Sequence, residues 1–203
     1  MPLVKRPAPP PAAAECEPSY ESLVRDMPGA DVHGRRSGAR GLGAYPEAAV
    51  PLGRALAGEA DESVREAMFT ALIRIGTAAA ASGLFPLLDS EDVSLRNGAI
   101  EALKTMPAAV TAHVDELLAG PPDVRIFAVE ILGALAHPGS AAHLTRVLEA
   151  EPELNVCASA VEALVECGDA SAAAALRGLL ERFPDEPFLE FSVRTALARI
   201  ANA

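Results

Sequence analysis

Apolar residues recur along this chain at helical spacing, in short runs separated by Pro and Gly. Between Asp61 and Gly76, the residues Val64, Met68, Ala71, Leu72 and Ile75 fall on one face of a helix. Asp61 is a good N-cap, because its carboxylate can accept a hydrogen bond from an amide of the first turn, and Gly76 suits the left-handed residue that ends a helix. Such a helix cannot bury its own apolar face. Weaker copies of the stretch appear when the chain is aligned on the pattern Arg-x-x-Ala-x-x-Ala-Leu. Arg35, Arg65, Arg96 and Arg125 take the first position, Cys157 replaces it in the fifth copy and Glu190 in the sixth. Seven residues after each anchor stand Leu42, Leu72, Leu103, Leu132, Leu164 and Leu197. The anchors are 30, 31, 29, 32 and 33 residues apart. A period this narrow predicts a solenoid in which each copy buries its apolar face on its neighbours.

A second helix in each copy follows a break at Pro46, Gly76, Pro107, Pro138-Gly139 or Gly168. Its core markers are Leu52 and Leu56, Leu84 and Leu88, Val114 and Leu118, Leu144 and Leu148, and Leu176 and Leu180, each pair four residues apart and therefore on one stripe. The expected fold is all-α: a right-handed α-solenoid of about five to six helical hairpins over residues 31–203. Ahead of it, residues 1–18 read as a disordered Pro- and Ala-rich tail. Residues 19–30 read as a short capping helix with Tyr20, Leu23, Val24 and Met27 on one side.

The opening Asp61 to Arg65, its variant Asp92-Val93-Ser94-Leu95-Arg96 and the period near 31 resemble the short HEAT-type repeats first named for phycobilin lyase subunits. The resemblance covers about residues 31–203 and implies stacked helical hairpins. For function it implies a choice among lyase subunits, metal hydroxylases and bacterial adaptor proteins. The hydroxylases with such repeats carry paired His-Glu dipeptides. Here the dipeptides are His33-Gly34, His113-Val114, His137-Pro138 and His143-Leu144, so that iron site is not expected. The first copy departs from the pattern at Gly34, Gly38, Gly41 and Gly43, each weakening a helix by roughly 1 kcal/mol relative to Ala. That end is expected to be the least rigid.

Charge narrows the partner. Of the formal charge of −11, almost all lies beyond residue 58: residues 1–58 hold seven Lys and Arg against six Asp and Glu, residues 59–203 ten against 22. The acids cluster in the turns that enter each first helix, whereas the opposite turns carry only Asp169. One edge is therefore an acidic ridge, only partly explained by helix capping. Nucleic acid and anionic membrane are excluded as main ligands, since both need clustered Lys and Arg, and a protein partner with a basic surface is expected. The chain shows no signal-like or membrane-length apolar run, and Cys157 and Cys167 lie ten residues apart on one predicted helix, too far for a disulfide. With Cys16 as the third, free thiols and a cytoplasmic location are expected.

The candidate chemistry is thin. The ladder of arginines reads as scaffold, each guanidinium bonding an acidic loop of an adjoining copy. The cluster of Arg35, Arg36 and Arg40 reads as a solvated basic face. His113 and His143 precede equivalent core positions and line a surface together with Asp115, Glu116, Thr145 and Arg146, without the ligand set of a zinc site. Cys157 and Cys167 read as small core residues. No phosphate loop, nucleophile elbow or catalytic carboxylate pair is present, so no enzyme, no cofactor and no metal are expected. The preferred reading is a scaffold or adaptor, in a setting such as a bacterial signalling complex, that binds a protein along the concave surface of its second helices through His113, Glu116, His143, Arg146 and Arg177. Ile126 and Phe127, at positions filled by small or polar residues in other copies, and Phe191 likewise, are either exposed anchors for a partner or for a second copy in a homodimer, or buried by a small helix rotation. The alternative function is a bilin lyase or lyase-chaperone subunit.

Overall fold

The computed structural model describes residues 19–135 and 137–201; the tail expected over residues 1–18, with Cys16, lies outside them. Thirteen α-helices follow one another, with no strand among the described residues: α1 Tyr20–Asp26, α2 Val32–Leu42, α3 Ala49–Leu56, α4 Glu62–Ile75, α5 Ala78–Ser82, α6 Val93–Lys104, α7 Pro107–Thr111, α8 Val114–Leu117, α9 Pro122–Ala134, α10 Ser140–Ala150, α11 Leu154–Cys167, α12 Ala173–Arg182 and α13 Pro187–Ile200. They form the two layers of an α-solenoid. The first helices α2, α4, α6, α9, α11 and α13 pack on one another in that order. In the second layer α3 packs on α5, α5 on α7, and α10 on α12, whereas the second helices of the third and fourth copies stand further apart.

The helix ends follow local chemistry. Asp61 accepts from the amides of Ser63 and Val64, and Asp92 from those of Ser94 and Leu95. Gly76 closes α4 at φ 60°, a left-handed conformation that costs glycine nothing. The marker leucines 42, 72, 103, 132 and 164 are fully buried, each worth about 1.5–3 kcal/mol, and Leu197 in the last copy is half-buried.

The glycines of the first copy have a packing role. A Cβ on Gly43 would lie 3.0 Å from the Ala71 backbone, and one on Gly41 would lie 3.0 Å from Leu23 of α1. The missing side chains thus admit α4 on one side and α1 on the other, so the propensity lost in α2 is set against close packing. α1 covers α2 with Leu23, and Met27 beyond its end is buried against Gly38.

Two second helices differ from the expected single stripe. In the second copy α5 stops at Ser82 and a 3₁₀ turn, Phe85–Asp89, takes over, because Pro86 cannot continue the helical hydrogen bonding. In the third, α7 and α8 are separated at Ala112 and His113, just after Thr111 turns its hydroxyl back onto the Pro107 carbonyl at 2.8 Å. The buried residue of α8 is Leu117 rather than Leu118, and in α12 Leu179 rather than Leu180. The marker is displaced by one residue where the helix is short or turned.

Candidate functional site

The ladder position defines what is committed to scaffold. Arg35 forms a two-pronged pair with Glu59 of the next copy, Nε to Oε2 at 2.8 Å and Nη2 to Oε1 at 3.0 Å. Arg125 does the same with Glu151, at 2.8 Å through each nitrogen. Arg65 reaches Asp92 at 2.7 Å. Each also donates to a carbonyl five or six residues back: Ala30, Gly120 and Glu59. Arg96 breaks the acid pairing. It donates to the Ser90 carbonyl at 2.6 Å and lies over the Phe127 ring at 5.6 Å, while its Nε is enclosed without a hydrogen-bond partner.

In the fifth copy Cys157 is fully buried, its Sγ donating weakly to the Glu151 carbonyl at 3.3 Å and lying against Arg182. The missing guanidinium arrives from elsewhere: Arg182, at the end of α12, donates to the carbonyls of Leu148 and Glu151. Burial raises the thiol pKa of Cys157, which keeps it protonated and unreactive.

Where the second layer parts, a cavity of about 580 Å³ opens. Its walls are Asp115 and Leu118 from the third copy, and His143, Arg146, Val147 and Ala150 from α10. Arg125, Glu151 and Pro152 close it at the turn into α11. Leu118, Val147, Ala150 and Pro152 make the apolar part. Arg146 donates to Nδ1 of His143 at 2.8 Å and faces Asp115 at 3.5 Å. Burial lowers the pKa of His143, and the Arg146 charge lowers it further. The ring is therefore neutral at pH 7, with Nδ1 accepting from Arg146 and the proton on Nε2. For Glu151, burial pushes the carboxyl pKa up, but the Arg125 hydrogen bonds and the Glu153 amide overcome it and the net shift is downward.

This arrangement can bind and position. The lining has no Ser, Thr, Cys, Lys or Tyr, and Glu151 is locked by Arg125. No cluster of three or more His, Cys, Asp or Glu that could hold a metal ion occurs among the described residues.

The expected contact residues divide. His143 and Arg146 line the cavity together. His113, whose Nδ1 is enclosed without a partner, does not line it. Glu116 instead accepts from Ser82 of the preceding second helix at 3.4 Å. Arg177 is exposed on α12, bonded to the Ala173 carbonyl at 3.4 Å. Ile126 and Phe127 are half-buried and packed on the core, Phe127 under Arg96. The exposed aromatics are Phe188 and Phe191 of α13, at 63% and 70%. Asp115, expected on the surface beside His143, lines the cavity; the apolar walls were not among the expected contacts. The i, i+3 spacing of His143 and Arg146 was the available signal; the gap between the second helices has none in the sequence.

Fold and site together define a helical-repeat protein with a cavity in its second layer. The chain belongs to the HEAT-repeat family, whose repeats match residues 24–104 and 111–198. Among solved structures it is similar to human deoxyhypusine hydroxylase in complex with glycerol, at 20% identity and TM-score 0.48 over 90% of this chain and 74% of that one. It is also similar to an engineered protein, at 20% identity and TM-score 0.43 over 90% and 96%. The complex of CpcE and CpcF of phycocyanin lyase from Nostoc sp. PCC7120 matches at 20% identity and TM-score 0.39 over 98% and 100%. No curated protein matches the chain. No helix among the described residues is long and apolar enough to cross a membrane.

Proposed function

We propose that this chain is a non-catalytic scaffold or adaptor that holds another protein against its second-helix layer, with one partner side chain seated in the cavity between α8 and α10. That cavity is the observation that carries the reading. It joins apolar walls to a polar rim of His143, Arg146 and Asp115, the combination that anchors one residue of a partner and orients it. The ladder arginines, by contrast, are engaged within the array. Free Cys157 and Cys167 fit a cytoplasmic setting.

The test uses the intact chain as bait, compared with Arg146→Ala and His143→Ala. The expected result is a partner retained by the parent and lost from both variants at unchanged thermal stability. A partner retained equally by all three would overturn the assignment of the cavity. Mixing the protein with a bilin is expected to leave the pigment absorption unchanged, which separates a scaffold from a lyase subunit.

A further inference from the structure

The first-helix layer carries a second opening, between α4 and α6. A groove of about 490 Å³ runs between them, floored by Phe69, Ile73, Gly98 and Ala102. It exists because of what stands two residues after the ladder anchor. In the fourth copy that place is Phe127, which fills the junction under Arg96; in the third it is Gly98. A Cβ on Gly98 would fall 2.4 Å from the Phe69 ring, so the ring lies over a bare backbone and the space beside it stays open.

The groove is edged by carboxylates. Glu62 and Glu66 stand four residues apart on α4, both exposed and neither in an ion pair among the described residues. Like charges at that spacing oppose one another on a helix. Across the groove Glu101 shares Lys104, at 3.0 Å, with Glu130, at 2.7 Å. The one cation in the lining, Arg65, is already held by Asp92 and the Glu59 carbonyl. Groove and rim together therefore present apolar surface framed by unbalanced negative charge.

We propose that this groove docks a basic amphipathic helix of a partner protein, with an apolar side chain in the open space beside the Phe69 ring and Lys or Arg residues on Glu62 and Glu66. The charge complement is specific to this chemistry: an acidic peptide or a phosphate backbone would meet the same carboxylates as repulsion. A helix laid between two helices places anchors at i, i+3 and i+4, the spacing that meets both glutamates. The surface belongs to the first-helix layer, so it is independent of the cavity beside His143.

A labelled synthetic helix of about 18 residues, with Leu on one face and Lys beside it, tests this by fluorescence anisotropy on the full chain. Two comparison peptides carry Glu for Lys, or the same composition scrambled. The parent protein is expected to bind the basic amphipathic peptide and not the acidic one. Glu62→Gln with Glu66→Gln is expected to weaken it about five- to tenfold, as is added salt. Gly98→Leu, which drives the Phe69 ring out into the groove, is expected to abolish it, with circular dichroism confirming the fold. Arg146→Ala is expected to leave it unchanged, which separates this groove from the cavity. Equal binding of the scrambled peptide, equal binding to the double Gln variant, or no binding to the parent would each overturn the proposal.

Discussion

Replacing Arg125 by Ala tests whether the two-pronged clamps, and not the ladder as a whole, hold the copies together. The side chain makes two charge-assisted bonds to Glu151 at 2.8 Å and one to the Gly120 carbonyl at 2.8 Å. Glu151 is only 8% exposed, so it would be left largely desolvated, without its ion partner and with the Glu153 amide at 3.0 Å still donating to it. Removing one partner of a buried pair costs about 3–5 kcal/mol; the clamp lies near the surface and water would reach the carboxylate, which brings the loss to about 3 kcal/mol. Arg96→Ala is the control at the equivalent position. It forfeits one bond and one ring contact, and it also removes an enclosed nitrogen that has no partner, so its cost is about 1 kcal/mol. The difference of about 2 kcal/mol corresponds to about 4–8 °C in Tm for a chain of this size. Thermal unfolding of both variants, followed by circular dichroism, makes the comparison. Combining Arg125→Ala with Glu151→Gln completes a double-mutant cycle, in which a coupling above about 1 kcal/mol is expected. Equal melting of the two Ala variants, or a coupling near zero, would refute the argument.

Four further outcomes follow from the structure. Folding lowers the pKa of His143 below 6.5, so the unfolded chain takes up that proton first as the pH falls; stability is therefore expected to decline below pH 6.5, and His143→Gln to remove that part of a pH series of melting temperatures. The carboxyl pKa of Glu59 is lowered by Arg35, and that of Glu151 is lowered against its burial by Arg125; a second decline is thus expected below pH 4.5, smaller when both are Gln and kept in part by the capping carboxylates Asp61 and Asp92. Phe188→Ser with Phe191→Ser is expected to cost less than about 0.5 kcal/mol, whereas Phe127→Ala, which uncovers Arg96 and the core, is expected to cost about 2 kcal/mol in urea unfolding. Arg182→Ala is expected to destabilise the chain by about 1–2 kcal/mol through two orphaned carbonyls, and adding Cys157→Arg to restore most of that loss in the same unfolding assay.

The periodic features were legible because one physical cause repeats in every copy. Leu42, Leu72, Leu103, Leu132 and Leu164 must be buried on every turn of the array, and Asp61, Gly76 and Arg65 act within a few residues of their partners or one period away. What stayed hidden depends on contacts between non-equivalent positions. Arg182 lies 25 residues beyond Cys157 and on the other layer, so no spacing rule joins them. Ile126 and Phe127 read equally as anchors or core until Arg96 was seen lying over Phe127. The glycines of α2 register as lost propensity in a sequence, and only the approach of Leu23 and Ala71 turns them into seats. The cavity beside His143 likewise arises from a helix interrupted at His113, which periodicity alone reads as continuous.

The exchange of Cys157 for Arg182 changes what the junction between α10 and α11 responds to. At the other junctions the bolt sits on the first helices, which a guest on the opposite layer leaves untouched. Here Arg125 of α9 still clamps Glu151, and the added hold of Arg182 is carried by α12, a member of the layer that would receive the guest. A tilt of α12 would loosen that added hold and leave the Arg125 clamp in place, so two copies that stay bolted on one layer would give on the other.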